Sequence, residues 1–289
     1  MRQKRLRAML TILFASVTLH GQVQQINSAV DKSTKPIQHN AYFIDPTLLD
    51  LTLILPPPPA QTSEITKAEL SEIYRIEKAR TQEQIAAAQA DDQEEDIFLF
   101  KQVFENDFTG AALPLTAALS VHIRDDEAVL GKLLKSSFHR PRPFQFDSSL
   151  HPVCELSKEP NSYPSGHTLS GYLLAFTLVQ MVPEKREQIL QRADDYAHNR
   201  LVCGVHYASD VEASRNNAYV MFGYMLANPR FQKELAAARV ETRQHLGLPL
   251  TTPHTHEALI SLLSNQTHDP QTTSSSNINL ESDSYGRNN

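Results

Sequence analysis

With 289 residues and 40% hydrophobic content, the chain is long enough to bury the core of one sizeable domain. Its 27 Lys and Arg against 33 Asp and Glu leave a net charge of −6, which excludes a nucleic-acid binder that relies on a general basic surface. Any anion site must be local, and no polymeric nucleic acid is expected as a partner.

Residues 1–21 carry Arg2, Lys4, Arg5 and Arg7 ahead of an apolar run from Ala8 to Leu19, the layout of a secretory signal peptide. The run is short for a membrane span. A cytosolic chain with a frayed apolar start is the competing reading, and Leu19 fits poorly beside a small-residue cleavage site. The leader predicts a periplasmic or secreted protein. Residues 22–54 are irregular and read as an N-terminal extension. Pro56 to Pro59 then form a rigid extended strap without backbone donors, rather than a PxxP ligand for a partner domain.

From Leu55 to about residue 250 the pattern is that of one helical domain. Ser63 to Ala90 is rich in Glu, Lys, Ala, Gln and Ile, predicting one long or two shorter helices. Asp91 to Asp96 is an acidic cluster without the alternating ligands and Gly of an EF-hand, and reads as a solvated turn. Further helices are predicted over Ile97–Phe108, Pro114–Val121, Glu127–Phe138, Leu169–Val182, Glu184–Asn199, Val211–Leu226 and Pro229–Leu246. In the Leu169 helix, Leu169, Tyr172, Leu173, Phe176 and Val179 recur at three- and four-residue steps, a buried face. No alternating β-branched run suggests a sheet, and no apolar stretch suggests a membrane-embedded chain. Residues 251–289 lose apolar periodicity and read as a disordered tail.

Two cysteines, Cys154 and Cys203, fit an oxidising compartment, where an even count points to a disulfide; two buried thiols are the alternative. A bridge would pin together two of the three segments in which basic and catalytic residue types concentrate.

Those segments are Lys135-Ser-Ser-Phe-His-Arg-Pro-Arg142-Pro143, Pro164-Ser165-Gly166-His167, and Arg200-Leu-Val-Cys-Gly-Val-His206-Tyr-Ala-Ser-Asp210. Each lies at a predicted helix edge or a punctuated turn. A Ser-Gly turn opening a helix presents unpaired N–H groups and the positive end of a dipole to an anion. Singly, each motif is commonplace. Their order and spacing together resemble the type 2 phosphatidic acid phosphatase (PAP2) superfamily, specifically its bacterial class A non-specific acid phosphatases. Leu55-Pro56-Pro57-Pro58-Pro59, Arg142-Pro143-Phe144, Ser162 through Thr168 and Val202 through Val211 are similar to family segments.

The resemblance implies an all-α globular helical bundle of the PAP2/haloperoxidase type and a secreted acid phosphatase acting on soluble organic phosphate monoesters. It implies a metal-independent reaction with no cofactor. Lys135, Arg142 and Arg200 would bind the phosphoryl oxygens, with Ser165 and the Gly166 N–H completing the cradle. His206 would attack phosphorus to give a phosphohistidine, Asp210 would fix its tautomer, and His167 would act as general acid and then base. Asn199 stands where the family pattern has Ser, and its amide is expected to donate to phosphate in place of a hydroxyl. Arg140 begins a second Arg-Pro pair, but Arg142 has the family spacing from Lys135. A vanadium-dependent haloperoxidase, a lipid phosphate phosphatase and a phosphate-binding protein without turnover are the alternatives. A homo-oligomer is compatible with the resemblance.

Overall fold

The computed structural model describes residues 40–104 and 107–250, and among these all regular structure is helical. The expected leader over 1–21 and the tail over 251–289 lie outside the described residues. No helix among those described is long and apolar enough to cross a membrane.

The Ser63–Ala90 pattern resolves into α1 (Glu64–Ala79) and α2 (Gln82–Asp91). The break has a local cause. Arg80 adopts an extended conformation, and Thr81 then opens α2 with a capping box: its hydroxyl accepts from the Gln84 N–H while Gln84 Oε1 accepts from the Thr81 N–H. A 3-10 turn at Ile97–Phe100 runs into α3 (Lys101–Phe104), and the expected helix does not extend to Asp107 and Phe108.

The two helices expected at Pro114–Val121 and Glu127–Phe138 are one, α4 (Pro114–Phe138). The charged run between them reads as a break, yet Ile123, Asp126 and Glu127 all face inward. Asp126 is occupied structurally: its Oδ1 accepts from the N–H groups of Tyr42, Phe43 and Ile44 at 2.7, 3.1 and 3.2 Å. That anchor draws the preceding chain onto the bundle, so Phe43, Ile44, Leu49 and Leu51 join the main core. Packing therefore begins well ahead of Leu55, where the sequence places the start of the domain. The proline strap follows, and the Pro56 carbonyl accepts from the Tyr163 hydroxyl at 2.6 Å.

The remaining helices are α5 (Pro143–Phe146), α6 (Gly166–Met181), α7 (Arg186–Val202), α8 (Ala208–Ala227) and α9 (Pro229–His245). Helix α6 packs against α4, α7, α8 and α9 and is apolar or small on nearly every side, as a central helix must be. Burying each of Leu173, Leu174 and Leu178 contributes up to about 1.5–3 kcal/mol. Gly171 lets α7 approach closely, since a Cβ there would stand 2.7 Å from Tyr196 Cδ1.

At one end of this bundle five helix termini converge. The Ser165 N–H donates to the Asp210 carbonyl (3.3 Å) and the Ser214 hydroxyl to the Ser165 carbonyl (2.7 Å), tying the start of α6 to the start of α8. The C-terminal turns of α4 and α7 and the end of α2 complete the ring. Cys154 and Cys203 form a disulfide, joining the loop before α6 to the end of α7.

Candidate active site

His206 follows Gly204, whose positive φ of 74° turns the chain sharply after α7. Its ring is buried, with Nδ1 3.3 Å from Asp210 Oδ2 and Nε2 3.3 Å from Arg142 Nη1. Asp210 sits in the first turn of α8, where its Oδ2 also caps the helix by accepting from the Tyr207 N–H (2.8 Å) and accepts from the Ser162 hydroxyl (2.6 Å). Arg140 Nη1 donates to Asp210 Oδ1 at 2.7 Å. Burial raises the Asp210 carboxyl above the ordinary range, and Arg140, Ser162 and the Tyr207 N–H offset only part of that rise. With donors on both oxygens, the arrangement suits a carboxylate backing the imidazole. Burial, followed by the charges of Arg142 and Lys135, drives His206 well below the ordinary histidine range, so its ring is neutral.

Three cations close around this ring. Lys135, in the last turn of α4, donates to the Asn161 carbonyl at 2.7 Å, and Arg142 Nε donates to the Asn161 side-chain oxygen at 3.0 Å. Burial and then the neighbouring Arg142 lower Lys135 to about 8, and burial and then Arg200 lower Arg142 to about 10. Arg200 is held through Nη1 by Asp92 Oδ1 at 2.6 Å, leaving its buried Nε without a hydrogen-bond partner among the described residues. Ser165 is the N-cap of α6, fully buried, and Gly166 is the first helical residue, so backbone N–H groups face the same end.

His167 Nε2 lies 3.0 Å from Glu95 Oε1 and 3.3 Å from the Asp92 carbonyl. Burial, followed by the charge of Arg200, pushes it down to about 3. The acidic segment 91–96 is thus no solvated turn. Asp91 is buried against Arg192 (2.6 and 3.0 Å), Asp92 holds Arg200, and Glu95 pairs with both His167 and Arg124. Net, Asp92 is lowered: burial, which alone would raise it, is outweighed by the Glu155 N–H and Arg200. His167, Arg142 and Arg200 line a cavity of about 350 Å³ together with Asp92, Glu95 and Glu155.

Direct contacts thus link His206 to Arg142 and Asp210, and Asn161 holds Lys135 and Arg142. Asn199 has another engagement. Its amide nitrogen donates to Asp91 Oδ2 at 2.7 Å, so one of its two N–H donors goes to the Asp91–Arg192 pair. Arg140, Asp92, Glu95 and Asn161 escaped the motif reading. Arg140 was visible as a second Arg-Pro pair, but its role comes from Asp210, Ser209 and Glu69, each far along the chain.

Residues 111–233 match the PAP2 superfamily. A non-specific acid phosphatase of Providencia stuartii is 30% identical over 222 residues, covering 73% of this chain and 87% of that protein. The chain belongs to the PAP2 superfamily. Within it, the relatives are of the bacterial acid phosphatase group: the non-specific acid phosphatase of Salmonella typhimurium (strain LT2) is 39% identical over 110 residues, 37% of this chain and 44% of that protein. Among solved structures, a bacterial vanadium-dependent iodoperoxidase aligns with a TM-score of 0.46 and 20% identity over 60% of this chain and 52% of its own.

Proposed function

We propose that this PAP2 enzyme is an acid phosphatase that hydrolyses phosphate monoesters through a phosphohistidine on His206, without a metal ion, in the periplasm or outside the cell. The carrying observation is the neutral, buried His206 ring, backed at Nδ1 by Asp210 and meeting Arg142 at Nε2. In the first step the Nε2–phosphorus bond forms as the phosphorus–ester oxygen bond breaks, and the leaving oxygen takes a proton from His167. In the second, water attacks phosphorus, the phosphorus–nitrogen bond breaks, and His167 takes the proton from water.

Lys135, Arg142 and Arg200 supply positive charge to the three equatorial oxygens, the part a divalent ion plays elsewhere. Ser165 and the Gly166 N–H are assigned to the same oxygens. His167, held down to about 3 by burial and Arg200, acquires its proton when the substrate's negative charge enters. The leader pattern and the Cys154–Cys203 disulfide support an oxidising compartment. Turnover of p-nitrophenyl phosphate with EDTA present tests the chemistry: H206A should lose at least about a thousand-fold in kcat. Wild-type protein quenched in mid-turnover should carry an acid-labile phosphoryl group that H206A lacks. Retained activity in H206A, or EDTA inactivation reversed by a divalent ion, would refute the mechanism.

A further inference from the structure

We propose that the cavity mouth selects among phosphate monoesters by the charge of the alcohol, favouring cationic alcohols such as amino alcohols over alcohols that carry further anionic groups. The inference rests on the phosphatase reading and concerns the same site.

Two populations of charge line the cavity. Arg142, Arg200 and His167 form one; Asp92, Glu95 and Glu155 form the other. The first is made for the phosphoryl group. Arg200 is 2% exposed and anchored at Nη1 by Asp92, and its buried Nε has no hydrogen-bond partner among the described residues. Asp92 is spent on that anchoring. Once phosphate occupies the cations, the alcohol's charged neighbours in the cavity are Glu95 and Glu155, with Leu156 and Ser157 as the uncharged surface between segments.

The Glu95 carboxylate and the Glu155 backbone are placed by fixed structure. The Glu155 N–H donates to Asp92 Oδ2 at 2.9 Å, and the preceding residue, Cys154, is bonded to Cys203. Glu95 is held by His167 and by Arg124. Arg124 offsets this charge only in part, because it also lies 4.0 Å from Glu127, and it does not line the cavity. Among the described residues no further cation lines the cavity for a second anionic group on the substrate, and a positive group would meet Glu155 together with Glu95, whose charge is shared with His167 and Arg124.

The test compares kcat/KM at pH 5.5 and low ionic strength for 2-aminoethyl phosphate, glycerol 1-phosphate and 3-phosphoglycerate. The cationic ester should exceed the anionic one by about ten-fold, the scale of one or two charge pairs a few ångströms apart at a solvated mouth. The gap should narrow at about 0.5 M NaCl. E155K, at an exposed position, should shrink or invert the ratio. Equal or reversed preference in the wild type, or an unchanged ratio in E155K, overturns the proposal. p-Nitrophenyl phosphate separates the two failures: turnover of it without charge discrimination refutes only the selection, whereas its inertness refutes the phosphatase reading and the selection with it.

Discussion

A lysine whose ammonium is both buried and crowded by another cation holds its proton only over part of the ordinary range. Burial and Arg142 bring Lys135 to about 8, so above that pH the free protein loses one of the three cations. Because kcat/KM reports ionisations of the free enzyme, it should fall as pH rises through about 8, and K135R should remove that inflection by keeping the charge. A pH–rate profile of the two proteins checks this; an inflection near 8 that survives K135R would detach it from Lys135. The residues of this cradle were legible because each motif is local: Lys135 to Arg142, Ser165 to His167 and Arg200 to Asp210 are short stretches whose spacing is set by one turn or one helix end. The roles of Arg140 and Asp92 were not, because the partners that define them lie far along the chain. Arg140 acquires its role from Glu69, 71 residues away, and Asp92 from Arg200, 108 residues away. Asn199 shows the converse. Its position within a motif suggested a phosphate ligand and gave no sign that a long-range carboxylate, Asp91, accepts one of its two N–H donors.

At the level of elements, legibility followed hydrophobic periodicity and failed where charge was buried. The central helix α6 was readable from its leucines, whereas α4 was divided at a charged run that turns inward to cap the 42–44 backbone with Asp126. The acidic run after α2 misled for the same reason: carboxylates read as solvated unless their partners are known. The link between the loop carrying Glu155 and the end of α7 is covalent, Cys154 to Cys203, a separation of 49 residues. Chain-entropy arguments give such a loop about 4 kcal/mol of stabilisation. Urea unfolding of the double variant C154A/C203A should show a loss of about 2–4 kcal/mol. A midpoint unchanged from the wild type would mean that the Arg80 contacts to the Val202 and His151 carbonyls, which span the same two segments, suffice to hold them.

For the molecule as a whole, a net charge of −6 conceals a cationic pocket that is costly when empty. Lys135, Arg142, Arg200 and two histidines are drawn together with Asp210 and Asp92 as partial compensation, and burial keeps both rings neutral. The consequence for stability has a definite sign. A histidine whose folded pKa lies below its unfolded value of about 6.5 leaves the unfolded chain binding more protons as pH falls. Stability is therefore intact above about 6.5 and declines toward the folded value, about 3 for His167. Each histidine costs at most about 1.4 kcal/mol per pH unit across that window. A bound oxyanion reverses the effect by favouring the imidazolium, so proton uptake and anion binding become linked. Sulfate serves as the probe because it stays dianionic from pH 7 to 5. The rise in Tm that it produces should grow as pH falls through this interval, and H167N should weaken that growth. A sulfate-induced rise independent of pH would mean that the anion does not reach the histidines, and would separate the three cations from the two rings.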